Sequence, residues 1–231
     1  MKPHFLTKST AAFVLAGIMT SLAPSASAQT VNVTFDQLSV SPSTALTGAP
    51  VTDYLAGYGI TLSGMLPGTS VNVINATGAP FAVPSSAPNY FEVGAPANVR
   101  TFTLDFTGLI DNFSFTRVGM DAAFSPSGSV LGPWSATAYD ASNVSLASVG
   151  EGLIATFGSV PMQTFTFGAL GIDHISFTGD HLGFAGSALP RMDDLTFTTP
   201  VPEPETHAML LAGLGLLGFA ARRRKLKAAA V

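Results

Sequence analysis

The chain is 231 residues long, contains no cysteine and carries a formal net charge of −4. Residues 29–200 hold twelve carboxylates against three arginines (Arg100, Arg117 and Arg191), a balance of −9, and no lysine lies between Lys8 and Lys225. That balance argues against nucleic acid and anionic membrane surfaces as partners, and the absence of cysteine rules out disulfides and thiol nucleophiles.

The first element in chain order is a secretory leader. Lys2 and Lys8 form its charged start, Ala11 to Met19 its short apolar core, and Ala26-Ser27-Ala28 a small-residue cleavage site. Residues 1–28 therefore read as a signal peptide, removed by signal peptidase so that the mature chain starts at Gln29. This leader and the apolar tail described below raise the mean hydropathy to +0.41, which does not mark a polytopic membrane protein.

From Gln29 to Pro200 the pattern has a period of two. Apolar residues alternate with Thr, Ser, Asn or Asp over 31–35, 71–74, 99–106, 112–117, 135–139, 144–149, 163–167, 172–178 and 194–198. Each run predicts a strand with one face buried; in the third, Phe102, Leu104 and Phe106 fall on one side and Thr101, Thr103 and Asp105 on the other. Nineteen of the 23 glycines and twelve of the 16 prolines lie in this stretch and punctuate the runs. No window sustains a helical period for three turns. The expectation is one all-β domain over 29–200, an antiparallel β-sandwich of about eight to ten strands and jelly-roll-like. Ser41 to Pro96 holds seven prolines and reads as its loop-richest part.

The tail, 201–231, has three parts. Pro202 and Pro204 fix φ and hold Val201 and Glu203 out of helical geometry, so a helix begins only afterwards, with Thr206 as N-cap. Ala208 to Ala221 is uncharged and rich in Leu and Gly; as a helix it spans about 21 Å at ~1.5 Å per residue, short of a hydrocarbon core of roughly 30 Å. Five cations follow within 222–227, among them Arg222, Arg223 and Arg224. They can snorkel and hold their end on the cytoplasmic side, which predicts a marginal, thin-membrane or transient span.

The order Pro202-Glu203-Pro204, short spacer, apolar segment ending Leu216-Leu217-Gly218-Phe219-Ala220-Ala221, then Arg222-Arg223-Arg224, resembles the PEP-CTERM sorting signal of Gram-negative bacteria. Glu205 and His207 stand where that family more often has Ser and Trp. The resemblance implies that Pro202, Glu203 and Pro204 form a recognition triplet for an exosortase, an inner-membrane sorting enzyme, and that the protein belongs to an exopolysaccharide or biofilm system.

Two sets of side chains are candidates for binding. Asp36, just after the first strand, and Asp193 with Asp194, in the last, place carboxylates at the two ends of the domain. Terminal strands of jelly-roll modules commonly lie side by side, so these three could supply part of the shell of a structural Ca²⁺, which takes about six to eight oxygens. The alternative is ordinary acids at strand ends or on a solvent face. Trp134, after Gly132-Pro133, and Tyr139 are candidate platforms for sugar rings, although a lone tryptophan in a domain of this size is more often a core residue than a platform.

Catalytic signatures do not appear. His174 and His181 match no H-E-x-x-H spacing, and no G-x-S-x-G elbow occurs. Glu92 and Glu151, the only glutamates of the domain, have nothing in the sequence to bring them together as a glycosidase pair. The expected protein is non-catalytic, exported, held by its C-terminus at the membrane before processing, and then placed at the cell surface or outside it. A carbohydrate-binding module is the second reading and a secreted hydrolase the third.

Overall fold

Proline and glycine cut residues 29–200 into short runs, and every strand pairing between them is antiparallel. The structure is a computed structural model and describes residues 28–78, 82–94, 99–120, 129–156, 159–180, 189–200 and 210–218. Residues Gln29–Pro200 form one folded unit. In chain order it contains β1 (Gln29–Val33), β2 (Ala45–Thr47), helix α1 (Ala49–Ala56), β3 (Ile60–Ser63), β4 (Ser70–Asn75), β5 (Asn89–Gly94) and the long β6 (Val99–Arg117). Then come β7 (Ser129–Leu131), β8 (Trp134–Tyr139), β9 (Ser145–Glu151), β10 (Ile154–Thr156), β11 (Gln163–Thr166), β12 (Ile172–Asp180) and β13 (Met192–Thr199).

Eleven strands are joined by hydrogen bonds, eight along one path and β1, β3 and β11 paired beside it, and β6 divides them into two sheets. Sheet I runs β2-β4-β5-β13 and on to the second half of β6, with β1 beside β13 and β11 beside β6. Sheet II runs β9-β8-β12 to the first half of β6, with β3 on its far side. The strands β7 and β10 form a separate pair.

Side chains of β6 show how one strand serves two sheets. Phe102, Leu104 and Phe106 are buried at even positions, whereas Phe113, Phe115 and Arg117 are buried at odd ones. An extra residue is needed to change the inward parity, and Asn112 supplies it at φ +54°, where the register with β13 also shifts. Gly171 assists by donating its N–H to Asp111 Oδ1 at 2.7 Å. The close approach of α1 and β3 to this strand depends on Gly59, at φ +74°: a Cβ there would lie 2.6 Å from Thr107 Oγ1.

The two sheets meet through aromatic rings. Phe102 stacks on Phe177 within sheet II, 4.5 Å apart and 6° from parallel, and its other neighbour is Phe91 of sheet I at 6.4 Å. Phe115 of sheet I contacts Phe177 at 5.7 Å, and Phe165 meets Trp134 edge-on at 4.8 Å. These rings belong to one buried cluster that also takes Val51 and Leu55, the i, i+4 pair on the inner side of α1.

The described residues contain thirteen strands, more than the eight to ten expected, and the Pro-rich stretch is not mainly loop. Pro50 sits in the first turn of α1, where its missing N–H costs nothing, and β2 to β5 all lie between Ser41 and Pro96. Outside the folded unit, residues 210–218 form a second helix, α2, within the expected apolar run and exposed along its length. No helix among the described residues is long and apolar enough to cross a membrane.

Truncation of a ring shared by both sheets tests this core. Phe177→Ala is expected to lower stability by about 3–5 kcal/mol, read as a shifted urea midpoint. Leu170→Ala, at a side chain 71% exposed, should stay within about 0.5 kcal/mol.

Candidate functional site

The terminal strands do lie side by side, from Gln29 opposite Thr199 to Val33 opposite Leu195. Asp36 follows in a single 3-10 turn, Phe35–Gln37. Its Oδ1 accepts the N–H of Asn89 at 2.9 Å, while the Asn89 side-chain amide donates to the carbonyls of Phe35 and Leu38, both at 2.9 Å. Asp193 is fully buried. Its carboxylate accepts the Ser86 N–H at 2.8 Å, the Ser86 hydroxyl at 3.1 Å, the Ser85 hydroxyl at 3.2 Å and the Asp194 N–H at 2.9 Å. The two acids thus hold opposite ends of one segment, Ser85 to Asn89, against sheet I.

Register explains why Asp193 faces this segment. It stands opposite Thr116, whose hydroxyl meets that of Thr164 on the outer side of the sheet. Met192 and Leu195 on either side are core residues, and the change of parity falls at Asp194, with φ +48° and a register shift against β6. Burial pushes the Asp193 carboxyl above the usual carboxylate range; the Ser86 hydrogen bonds pull it back only in part.

This arrangement corrects the calcium expectation. Asp36, Asp193 and Asp194 do not converge, and no group of three or more His, Asp or Glu suited to a metal exists among the described residues. The oxygens of Asp36 and Asp193 are already engaged by protein N–H and O–H groups. Two carboxylates with separate hydrogen-bonding tasks leave no shared oxygen shell.

Trp134 is likewise placed by packing. Its ring is 5% exposed, set against Phe115, Phe165 and Phe177, and its Nε1–H donates to Glu151 Oε2 at 3.3 Å. It has no free face for a sugar. Glu151 also pairs with Arg117 at 2.9 Å, an ion pair whose side chains are 12% and 4% exposed. Arg117 donates further to the carbonyls of Val118 and Pro161. Arg117 comes from sheet I and Glu151 from sheet II, so the pair ties the two sheets at one end of the core. Arg191 and Glu92 form a second ion pair at 3.1 Å.

Tyr139 is the sugar-platform candidate that reaches the surface. Half-buried on the outer side of sheet II, it stacks on His174 with centroids 5.0 Å apart and planes 15° apart. His174 Nδ1 lies 3.0 Å from Asp173 Oδ2. The other expected features fall elsewhere: the signal-peptide segment 1–27, Pro202, Glu203, Pro204, Arg222, Arg223, Arg224 and His181 lie outside the described residues. Ser85, Ser86 and Asn89 gave no sign of their role in the sequence, because their partners are 51 to 108 positions away.

Comparison with known proteins adds one assignment. The PEP-CTERM protein-sorting motif matches residues 200–225. No curated protein matches the chain. Among solved structures, an arabinose-bound α-L-arabinofuranosidase is similar at 16% identity and TM-score 0.41, over 69% of this chain and 25% of that one. The chain thus spans about a quarter of that enzyme's length. TmCBM61 in complex with β-1,4-galactotriose is similar at 13% identity and TM-score 0.30, over 61% and 84% of the two chains. The K1 cleaved adhesin domain of Lys-gingipain from Porphyromonas gingivalis is similar at 14% identity and TM-score 0.31, over 75% and 99%.

Asp193 gives the acid-dependence of the fold an unusual sign. Its native pKa is raised, so below it the native state binds a proton that the unfolded chain still lacks, and this group's contribution to stability falls as pH rises through that window. Asp193→Asn, which turns an amide donor toward one of the two backbone N–H groups that now bond separate carboxylate oxygens, is expected to cost about 1–3 kcal/mol at neutral pH. Urea titrations of both proteins should show the gap widening on acidification from pH 7 toward the unfolded pKa of 3.8; a gap that narrows would contradict the assignment.

Proposed function

We propose that this chain, which carries a PEP-CTERM protein-sorting motif at residues 200–225, is a non-catalytic protein of the cell surface or extracellular matrix, associated with exopolysaccharide or biofilm. The motif carries the reading. It implies export and processing by an exosortase, with α2 and the following cations as the part engaged at the inner membrane beforehand. We read the paired sheets of 29–200 as a jelly-roll-like sandwich that this tail delivers.

Three features support a binding or structural role over a hydrolytic one. Glu92 and Glu151 are each held in an ion pair with an arginine, so neither is a free acid or base. Asp193 is enclosed by Ser85 and Ser86 and serves the fold. The depression beside Arg117, Trp134, Glu151 and Arg191 admits about one water-sized group, too little for a sugar ring. A carbohydrate-binding module is the second reading, favoured by the half-buried Tyr139–His174 stack on the outer side of sheet II.

Deletion of Pro202 to Val231, followed by cell fractionation and immunoblotting, tests the sorting role. The full chain should be shortened on processing and appear at the surface or in the medium; the truncated chain should keep an unprocessed C-terminus and a different distribution. Identical processing and location of both would remove the basis of the proposal.

A further inference from the structure

The register of sheet II aligns hydroxyl side chains across all five of its strands. Ser63 of β3 stands opposite Thr103 of β6, Thr103 opposite Ser176 of β12, Ser176 opposite Thr137 of β8, and Thr137 opposite Ser148 of β9. Neighbouring strands lie ~4.8 Å apart, so this row extends about 19 Å in one line. Each member is half-buried or exposed, while the residues between them (Leu62, Leu104, Ile175, Phe177 and Ala138) point into the core or pack against it.

A second row runs parallel, two residues or about 7 Å away along the strands. It consists of Thr61, Asp105, His174, Tyr139 and Ser145, again in register from β3 to β9. Here Tyr139 has His174 stacked against it on one side and only the small side chain of Ser145 as its register neighbour on the other. A third, shorter row of Thr101, Thr178 and Ser135 completes the face.

We infer that this outer face of sheet II is a binding face for a neutral polysaccharide chain, with Tyr139 as stacking platform and the row from Ser63 to Ser148 as its line of hydroxyl contacts. The inference rests on the exopolysaccharide association proposed above and adds the face and the charge class of the polymer. A sugar chain presents alternating hydroxyls and apolar C–H patches, which match rows of donor–acceptor hydroxyls beside an aromatic ring. The rows contain no lysine or arginine; Asp105 stands opposite His174, and Asp173 Oδ2 lies 3.0 Å from its Nδ1. With twelve acids to three bases in residues 29–200, a uronate or sulfated polymer would meet repulsion with nothing to offset it. The outer side of sheet I also carries hydroxyls, and pairs such as Thr116–Thr164 there and Thr137–Ser148 on sheet II bond to each other alike, at 3.0 and 2.9 Å; what sheet II adds is a ring that reaches solvent, whereas Tyr90 on the outer side of sheet I is 4% exposed.

Affinity electrophoresis of the exported protein in gels containing a soluble β-glucan, a neutral galactan or polygalacturonate tests the inference. Retardation is expected in at least one neutral gel and not in polygalacturonate. Tyr139→Ala should weaken it by about threefold to tenfold, and the double substitution Thr103→Val with Ser176→Ala should weaken it again. Thr164→Val, on the opposite face, should leave it unchanged, and unaltered urea midpoints for the face variants would separate lost contacts from lost folding. Absence of retardation in both neutral gels, retardation in polygalacturonate alone, or equal retardation of the face variants would overturn it. Face variants that are still processed and delivered like the parent would leave the sorting role standing while this inference fails.

Discussion

One strand carries the architecture. From Val99 to Phe106, β6 pairs with β12 and β3; from Asp111 to Arg117 it pairs with β13 and β11. A strand shared by two sheets must present its apolar side inward in both, and the period of two forbids that unless a residue is inserted. Asn112 in the left-handed region is that insertion, and the consequences reach far: Phe102 and Phe115 both point into the same aromatic cluster, one from each sheet. Through that cluster the positions of β12 and β8 follow, and with them the outer rows that stand opposite the buried ones.

Charge in the folded unit is spent on attachment. Arg117 and Glu151 link the sheets, Arg191 and Glu92 link β13 to β5, and Asp36 and Asp193 fasten the segment between β4 and β5. A buried acid with four protein donors is a fastening with little capacity left for chemistry. These fastenings tie the non-catalytic reading to the same observations that explain the fold, while Asp105 and His174 stay on the outer face of sheet II.

Much of the fold was legible as periodicity, because strands such as 99–106 and 172–178 have one dry and one wet side and alternate cleanly. Where the structure departs, the cause is local and physical. In β5, Tyr90 and Phe91 are both buried, since Tyr90 packs with Ala82 and Val118 in a second small cluster on the other side of the sheet; a strand covered on both sides loses its alternation. Helix α1 was missed because its eight residues are barely two turns and begin at a proline that looked like a loop marker. Side-chain roles were less legible. Tyr139 and Trp134 could both be named from the sequence as candidate platforms, but Trp134 could not be assigned to the core until Phe165 and Phe177, from distant strands, were seen around it. The three candidate metal ligands shared a neighbourhood without sharing a direction, which depends on the parity change at Asp194 and leaves no mark in residue spacing.

The pairing of Gln29 with Thr199 places both ends of the folded unit at one end of one ladder, and the chain toward the tail leaves from Pro200. While that tail is held, any tension enters through β13. This strand is flanked over its last residues by β1 on one side and by β6 on the other, at Thr196 and Thr198. A pull along its length loads both ladders in shear, so rungs on two sides share the force instead of opening one after another. A tail held at its far end would therefore load first a strand that is paired on both sides.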